Sequence, residues 1–421
     1  MMATPWFSER WFTSPHNFSE EVRAQLRFPK QIVFHDITLR DGEQQAGVVF
    51  TKDDKIRIAE KLAEAGVHRI EAGMATVSRA DEEAIREIVR RRLGPKIFAF
   101  SRCMVSDIQR AVDCGVEGVV VEIPSSEHII ELGYEWPLQK AIDLSVEATR
   151  FAHEQGLYVV FFPIDATRAE PGWFVNLIEQ VATQGHMDAL VLVDTFGGSS
   201  PHAISYFTRQ VQARIHKPLE AHFHDDFGMA VANTLMALSL GVEVAHVTVS
   251  SLGERAGNCA LEDLALALLT LYGIETGLRY ETFYELSKLV RELAGVTLPP
   301  NRPIVGDMIF KVESGIIATW LARLKEKRPV ELFPFHWALV GQPPAEIVLG
   351  KGSGRDSILY FLSHLGYDVP PADPRVDELV VRVKERSLAT KRLLGVDEFR
   401  GLAEAVLGRP AAAASHEVKH D

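Results

Sequence analysis

The feature that most constrains the fold of this chain is a repeated alternation of short apolar runs and amphipathic helical patterns. From residue 31 onward, β-branched runs recur at intervals of roughly 30 residues, which is the size of one βαβ unit. The runs occupy residues 32–35, 67–71, 96–100, 118–122, 158–162, 189–193, 219–224 and 244–249. No phosphate-binding G-x-G-x-x-G motif follows the first run, as a dinucleotide-binding sheet would require. The pattern therefore predicts an α/β fold, a (β/α)8 TIM barrel.

The alternation stops near residue 275, and the flanking segments have other patterns. We expect an N-terminal arm (1–28), the barrel (29–278), small helical C-terminal subdomains (279–408) and a flexible tail (409–421). An arm this rich in aromatic side chains should pack on the domain or on a partner subunit. Its aromatic residues are Trp6, Phe7, Trp11, Phe12 and Phe18.

Polar residues collect at the ends of the predicted strands, where a barrel places its active site. His222 and His224 lie on one face of the seventh strand, because side chains alternate along a strand. Two imidazoles form half of a metal site, although hydrogen-bonded barrel histidines would explain this pair alone equally well. Polar residues at the other strand ends favour the metal site. They are Asp36, Arg40, Asp41, Glu71, Ser101, Arg102, Glu122, Ser125, Ser126, Asp165, Thr167, Arg168, Asp194, Thr195 and the run 250–258.

Charge and hydropathy restrict the partners of the chain. A formal net charge of -12 argues against nucleic acid or an anionic membrane as the main partner. No apolar run approaches the roughly 18 residues of a membrane span, and charged residues interrupt the first 30 positions, so we expect a cytoplasmic protein. Cys103, Cys114 and Cys259 lack metal-ligand spacing, and their odd number argues against a disulfide framework.

Three stretches together resemble the DRE-TIM metallolyase superfamily. They are HDITLRDGEQ at 35–44, the H-x-H pair at 222 and 224, and GERAGN at 253–258. The resemblance is closest to the 2-isopropylmalate synthase and homocitrate synthase branch and covers roughly residues 31 to 275. Residues 303–306 and 352–355 echo the C-terminal subdomains of those synthases.

The resemblance implies a metal site and a co-substrate. Asp41, His222 and His224 would bind a divalent cation (Mg²⁺, Mn²⁺, Zn²⁺ or Co²⁺), with Asn258 as a further ligand nearby. Such a cation keeps open positions at which a 2-oxo acid can chelate. The implied partners are a small 2-oxo acid and an acyl-CoA, and the expected assembly is a homodimer.

The resemblance also implies roles for residues around that cation. Arg40 would be catalytic and substrate-binding, facing the enolate oxygen, and Glu71 would be catalytic beside metal-bound waters. Thr195 would bind the carboxylate of the 2-oxo acid. We interpret Asp36 as a residue that orients Asp41. Glu254 and Arg255 are expected to form an ion pair in a closing loop.

Two departures from the synthase pattern remove groups that could handle protons. Ile164 stands where the synthases carry an acidic residue, and Ile317 stands where their C-terminal subdomain carries a histidine. Val160, Phe162 and Ile164 also make the mouth of the fifth strand apolar, which disfavours a second carboxylate on the substrate.

Three hypotheses of function follow from these residues. The first is a Claisen-type condensation of an acyl-CoA with a 2-oxo acid, catalysed by an acyltransferase of the alkylmalate synthase type. The second is a metal-dependent lyase or aldolase that cleaves a related 3-hydroxy or malate-type acid. The third is a barrel that retains the metal for binding or regulation without catalysis, which the retained polar set disfavours.

Overall fold

A closed barrel of parallel strands forms the centre of the computed structural model, which describes residues 4–324 and 327–410. Each strand pairs in parallel with its neighbours in sequence, and the eighth pairs with the first to close the barrel. The strands are β1 (Val33–Asp36), β2 (Arg69–Glu71), β3 (Lys96–Arg102), β4 (Gly118–Pro124), β5 (Tyr158–Ile164), β6 (Ala189–Asp194), β7 (Leu219–Phe223) and β8 (Val244–Val247). The predicted TIM barrel is confirmed.

Helices alternate with these strands, as the periodicity predicted. The first ten in chain order are α1 (Glu20–Arg23), α2 (Lys52–Ala65), α3 (Arg79–Arg91), α4 (Val105–Cys114), α5 (Leu138–Glu154), α6 (Pro171–Gln184), α7 (Pro201–Gln212), α8 (Ala230–Leu238), α9 (Leu261–Tyr272) and α10 (Phe283–Ala294). Helix α2 shows the local signals clearly: Thr51 and Asp54 form a capping box at its start. At its end, Gly66 adopts φ +85°, a left-handed conformation that favours glycine.

The barrel strands read as nearly continuous apolar runs because helices cover their outer side while side chains fill the interior. Residues of β4, β5 and β6 such as Val119, Val159 and Leu190 are fully buried. One close approach between strands requires a glycine: a side chain at Gly118 would collide with the ring of Phe98 on the neighbouring strand. This packing holds the strand ends at fixed positions, which is what an active site needs.

Contacts divide the described residues into two compact units. Residues 14–306 form the unit that contains the barrel, and residues 4–13 belong with the described part of 307–410. The elements of the second unit are β9 (Lys311–Val312), α11 (Gly315–Leu324), β10 (Glu346–Ile347), α12 (Arg355–His364), α13 (Pro374–Thr390) and α14 (Val396–Leu407). Its last three helices enclose an apolar core around Ile358, Leu379 and Phe399. The expected helical C-terminal region is therefore present.

The aromatic N-terminal segment pairs within the second unit. Trp11 forms an antiparallel bridge with Phe335, and the rings of Phe7 and Phe12 meet edge to face with centroids 5.0 Å apart. The predicted boundaries at 28, 278 and 408 stay a prediction, and residues 411–421 of the predicted tail lie outside the described residues. In the described ranges, no helix combines the length and the hydropathy that a membrane span requires.

Candidate metal centre and active site

The two histidines predicted as ligands converge at the mouth of the barrel. Strand β7 carries His222, and His224 follows directly after the strand, so both rings project to the same side. Their Nε2 atoms lie 3.2 Å apart, and both side chains are buried. Asp41, in the turn after β1, places its Oδ2 atom 3.6 Å from Nε2 of His222 and 3.9 Å from Nε2 of His224. The structure thus brings the three principal predicted ligands together.

The donor set of these three residues fits a divalent cation. Metal–nitrogen distances are about 2.0–2.1 Å, so two nitrogen atoms 3.2 Å apart can both reach one ion. Burial lowers the pKa of His222 well below its ordinary value, and the neighbouring His224, His246 and Arg40 add to the effect. Burial also lowers the pKa of His224, against the opposing charge of Asp41. Both rings are therefore neutral at neutral pH, which is the state that binds metal.

The glycine-rich loop after β8 positions Asn258 against this cluster. The Asn258 Nδ2 atom donates a hydrogen bond of 2.7 Å to Oδ1 of Asp41, and its buried Oδ1 atom has no partner among the described residues. Gly253 (φ +152°) and Gly257 (φ +90°) make this arrangement sterically allowed. A Cβ atom at Gly253 would collide with the Asn258 amide, and one at Gly257 would collide with the carbonyl of Ser251. The loop therefore needs both glycines to place Asn258 beside Asp41.

Arg40 and Glu71 form a buried ion pair next to the same cluster. The Arg40 Nε atom donates to Glu71, and its Nη1 atom donates to Oδ2 of Asp41 at 2.8 Å and to Gln44 at 3.1 Å. The guanidinium also stacks on Phe100, with its carbon 3.9 Å from the ring centre. The remaining Nη2 atom is buried and has no partner among the described residues. One strong donor is thus left for a ligand.

Glu71 is ionised and holds the guanidinium of Arg40 in place. Burial by itself raises the pKa of Glu71, but Arg40 and then His35 lower it, and the balance is a pKa of about 2. A carboxylate with so low a pKa is a weak base. Its contact with Arg40 orients the guanidinium, and the catalytic role expected of Glu71 stays a prediction.

Thr195 lies on the opposite side of the mouth, directly after β6. Its Oγ1 atom accepts a hydrogen bond of 2.8 Å from the backbone nitrogen of Asp165, which leaves the hydroxyl hydrogen free to donate. The Arg255 guanidinium binds the Thr195 carbonyl oxygen and so ties the β8 loop to this strand end. Every predicted site residue therefore faces this mouth or supports one that does.

The sequence matches the HMGL-like family model over residues 31–290. The chain belongs to this HMGL-like family. It is 40% identical over 380 residues to a provisionally named (R)-citramalate synthase CimA of Archaeoglobus fulgidus, covering 90% of this chain and 76% of the relative. It is 37% identical over 367 residues to the homocitrate synthase AksA of Methanopyrus kandleri, covering 87% and 90%. It is 36% identical over 394 residues to a 2-isopropylmalate synthase of Methanocaldococcus jannaschii, covering 93% and 75%.

Solved structures of the HMGL-like fold agree with the barrel. The HMG-CoA lyase of Bacillus subtilis superposes with a TM-score of 0.60 at 22% identity, covering 65% of this chain and 97% of that one. The hydroxymethylglutaryl-CoA lyase of Pseudomonas aeruginosa gives a TM-score of 0.58 at 23% identity, covering 64% and 95%. At this identity the likeness concerns the fold alone. The predicted superfamily, barrel and alkylmalate-synthase type of enzyme are confirmed by the family and its named synthases.

Two groups next to the ligands support the site of this HMGL-like protein. The Asp36 carboxylate accepts hydrogen bonds from the backbone nitrogen and hydroxyl of Thr38, at 3.0 and 3.1 Å. It therefore fixes the turn that carries Arg40 and Asp41, and its predicted role in orienting Asp41 would act through this turn. The expected ion pair between Glu254 and Arg255 is present at 3.8 Å, and Arg255 also binds Asp226 at 2.8 Å.

A cavity of about 460 Å³ adjoins Arg40 and Gln44 at the mouth of the HMGL-like barrel. The loops after β1 and β2 supply most of its walls. The apolar residues of the lining are Leu39, Val48, Val49, Phe50, Met74, Val77, Ala80 and Phe100. The buried ammonium of Lys55 in the wall is already neutralised by Glu43 and Asp81. No single spacing rule would have identified this cavity, because two loops far apart in the chain enclose it.

Two further features were missed or not singled out by the sequence reasoning. A second cluster, His35, Glu220 and His246, lies within the barrel, and alternate polar positions in otherwise apolar strands were its signal. Glu122 was noted only as one strand-end carboxylate among many. Burial raises its pKa to about 7, while Arg40 and Arg102 oppose the rise.

Proposed function

We propose that this chain catalyses a Claisen-type condensation of an acyl-CoA with a 2-oxo acid, dependent on a divalent cation (Mg²⁺, Mn²⁺, Zn²⁺ or Co²⁺). The names of the relatives as citramalate, homocitrate and 2-isopropylmalate synthases support this reaction class. One observation carries the proposal: Asp41, His222 and His224 converge beside an arginine that keeps a buried, unpartnered Nη2 donor. That arrangement suits a ligand that brings its own anionic oxygen atoms.

Each residue of the site has a role in this proposal. Asp41, His222 and His224 hold the cation, with Asn258 positioned by its hydrogen bond to Asp41. The cation supplies a Lewis acid that polarises the carbonyl of the 2-oxo acid when it is bound. Arg40 donates its free Nη2 hydrogen bonds to the oxygen atom on which negative charge develops.

Glu71 and Thr195 prepare the site for the 2-oxo acid. Glu71 fixes the guanidinium of Arg40 through the buried ion pair, so that little reorganisation is needed when charge develops. The Thr195 hydroxyl, whose oxygen already accepts from Asp165, donates to the carboxylate of the 2-oxo acid. These contacts would bind the anionic substrate from two sides of the mouth.

The walls of the site favour a substrate with an apolar end. Phe162 packs against His222 with ring centroids 4.8 Å apart, and Phe100 lies 5.5 Å from Phe162 by the same measure. In the adjoining cavity, both lysines of the wall already have carboxylate partners: Lys55 binds Glu43 and Asp81, and Lys52 lies 3.6 Å from Glu83. We therefore propose a small, apolar-ended 2-oxo acid in preference to a dicarboxylic one.

We further propose that the enzyme works as a homodimer in the cytoplasm. The net charge of -12 and the absence of a membrane-spanning helix in the described ranges agree with partners that are small molecules and not nucleic acid or a membrane.

Cleavage of a malate-type or 3-hydroxy acid remains the second candidate. The replacement of two proton-handling groups by Ile164 and Ile317 favours it, because condensation must remove a proton from carbon, whereas cleavage removes the more acidic hydroxyl proton and returns a proton to carbon. The same cation and Arg40 would serve the reverse reaction.

One experiment separates these candidates. Protein reloaded with each cation is incubated with acetyl-CoA and pyruvate, 2-oxobutyrate, 2-oxoisovalerate or 2-oxoglutarate, and thiol release and the product acid are measured. We expect weak or undetectable condensation with 2-oxoisovalerate and 2-oxoglutarate and faster turnover with a different apolar-ended acid. Cleavage of citramalate or a related acid without condensation would favour the lyase. Bound metal with no turnover in either direction would contradict both.

A further inference from the structure

Glu122 occupies a distinctive position on strand β4. It is in register with Arg102 of β3 and with Phe162 of β5, and residues in register on adjacent parallel strands face the same side. The Phe162 ring lies inside the barrel against His222, so the Glu122 side chain faces the mouth that holds the predicted ligands. The side chain is only partly exposed there.

Other carboxylates of the same mouth have a polar partner. The pairs are Glu71 with Arg40, Asp107 with Arg102, Asp165 with Arg168, Asp194 with Thr167 and Asp226 with Arg255. The Glu122 carboxylate makes no hydrogen bond or ion pair with any residue in the described ranges. The charges that face it are Arg40 and Arg102, which favour its anion, and Asp107 and Glu254, which oppose it, with the phenol of Tyr134 nearby.

This environment leaves Glu122 able to exchange a proton at neutral pH. Burial raises its pKa to about 7, despite the opposing arginines, whereas the ion-paired Glu71 has a pKa of about 2. A group whose pKa lies near the working pH is an efficient acid and base, because both of its forms are populated.

We infer that Glu122 is the catalytic proton-transfer group of this enzyme. The inference rests on the proposed condensation. The Glu122 carboxylate takes a proton from the carbon next to the thioester carbonyl, and the electron pair of that C–H bond forms the new C–C bond to the 2-oxo carbon. The carbonyl oxygen receives the displaced π pair and then the proton from Glu122, which returns to its carboxylate form. Water later hydrolyses the thioester in a separate step that releases the thiol.

The test compares Glu122→Gln with Glu131→Gln in the metal-loaded, full-length protein. Glu131 is an exposed carboxylate in the short π-helix Ile129–Gly133 after β4, so its variant controls for loss of a charge near this strand. Thiol release is measured with acetyl-CoA and the most active of the four 2-oxo acids, from pH 5.5 to 8.5. Wild-type kcat/KM should fall as the pH decreases below about 7, because the Glu122 carboxylate becomes protonated. This decrease on the acid side of the profile is called the pH limb below.

We expect Glu122→Gln to lower kcat by about 100-fold to 10,000-fold, with metal content and KM little changed and with the pH limb near 7 abolished. Glu131→Gln should retain the rate and the limb. The buried Asp36, whose pKa burial also raises to about 7, is the group that a persistent limb would implicate.

An active wild type whose rate and pH limb both survive in Glu122→Gln would overturn this inference and leave the proposed function intact. An inactive wild type with all four acids would overturn the proposed function, and the inference with it. If Glu122→Gln fails to fold, the same measurements on Glu122→Asp decide: an unchanged rate and limb overturn the inference, and a slower rate with a displaced limb supports it.

Discussion

Two clusters of two histidines and one carboxylate lie inside the same barrel and differ in what their polar atoms contact. In the inner cluster, Glu220 binds Arg69 at 2.7 Å and His246 at 2.8 Å. The rings of His35 and His246 stack 4.5 Å apart at 17°, so their nitrogen lone pairs lie in nearly parallel planes. In the outer cluster, the rings of His222 and His224 are inclined at 68°, and their Nε2 atoms meet.

This difference shows why residue type alone does not define a metal site. Stacked imidazoles cannot direct their lone pairs to one ion. In the outer cluster, Asp41 binds Asn258 through Oδ1 and Arg40 through Oδ2, and Oδ2 still lies 3.6 and 3.9 Å from the Nε2 atoms of the two histidines. We therefore propose that the outer cluster binds the metal and that the inner cluster stabilises the barrel.

The largest effect that this assignment predicts is loss of the metal. His222→Ala removes one of three principal ligands and should abolish metal retention and activity together. Glu220→Gln, in the inner cluster, should lower the free energy of unfolding but keep the full metal content, as measured by elemental analysis after dialysis. Full activity of a dialysed, metal-free protein carrying both His222→Ala and His224→Ala would contradict metal binding by the outer cluster.

A smaller effect should follow from a change beside the outer cluster. Arg40→Lys keeps a positive charge but loses the planar fork that binds Glu71 and Asp41 and leaves Nη2 free. Metal content should be unchanged, whereas turnover at saturating substrates should fall about 100-fold to 1000-fold. An unchanged turnover number would mean that Arg40 serves only as the structural partner of Glu71.

The inner cluster should make the metal-free protein sensitive to acid. Burial, aided by His246, lowers the pKa of His35 from 6.5 to about 4, so the unfolded chain binds a proton here that the folded chain rejects. The free energy of unfolding should therefore decrease as the pH falls from 6.5 towards 4, by about 2 to 3 kcal/mol for this group.

Urea unfolding with chelator present, at pH 7 and at pH 4.5, measures this change. The chelator removes any contribution of metal binding to the pH dependence. The His35→Gln variant should lose a correspondingly smaller free energy between the two pH values. Equal losses in the variant and the wild type would show that His35 does not titrate as described.

The smallest effect concerns the far side of the mouth. Thr195→Ala removes the hydroxyl that we propose as a donor to the substrate carboxylate, and KM for the 2-oxo acid should rise roughly tenfold with little change in kcat. Thr195→Ser retains the hydroxyl and is the matched control. A similar KM in all three proteins would exclude Thr195 from substrate binding.

Much of the barrel could be predicted from local sequence patterns. All eight predicted strands are present in the structure with small shifts at their ends. The eighth strand ends at Val247, two residues early, because the next turn contains Ser250 and Ser251 at positive φ. Such turns depend on contacts with later loops, which periodicity does not report.

The candidate site could be predicted only in part from the sequence. The candidate ligands followed from the resemblance to the DRE-TIM motifs, and they lie together because the parallel strands of a barrel end at one mouth. The hydrogen-bond partner of Asp36 could not be predicted, because only the tight turn after β1 directs its carboxylate to Thr38. The cavity beside Arg40 was missed, since its walls come from loops after two different strands.

The sequence by itself determined the barrel, the HMGL-like family and the residue types at each strand end, because apolar periodicity and short motifs encode them locally. Only the tertiary structure decided which of those polar side chains already have a hydrogen-bond or ion-pair partner. Asn258 reaches Asp41 across 217 positions of sequence, and Glu220 reaches Arg69 across 151. Closure of the barrel creates both contacts, and among the residues that the structure describes it leaves the Arg40 Nη2 donor without a partner. A buried polar group acquires its partner through space, so its availability for a metal, a substrate or a proton is a property of the folded chain.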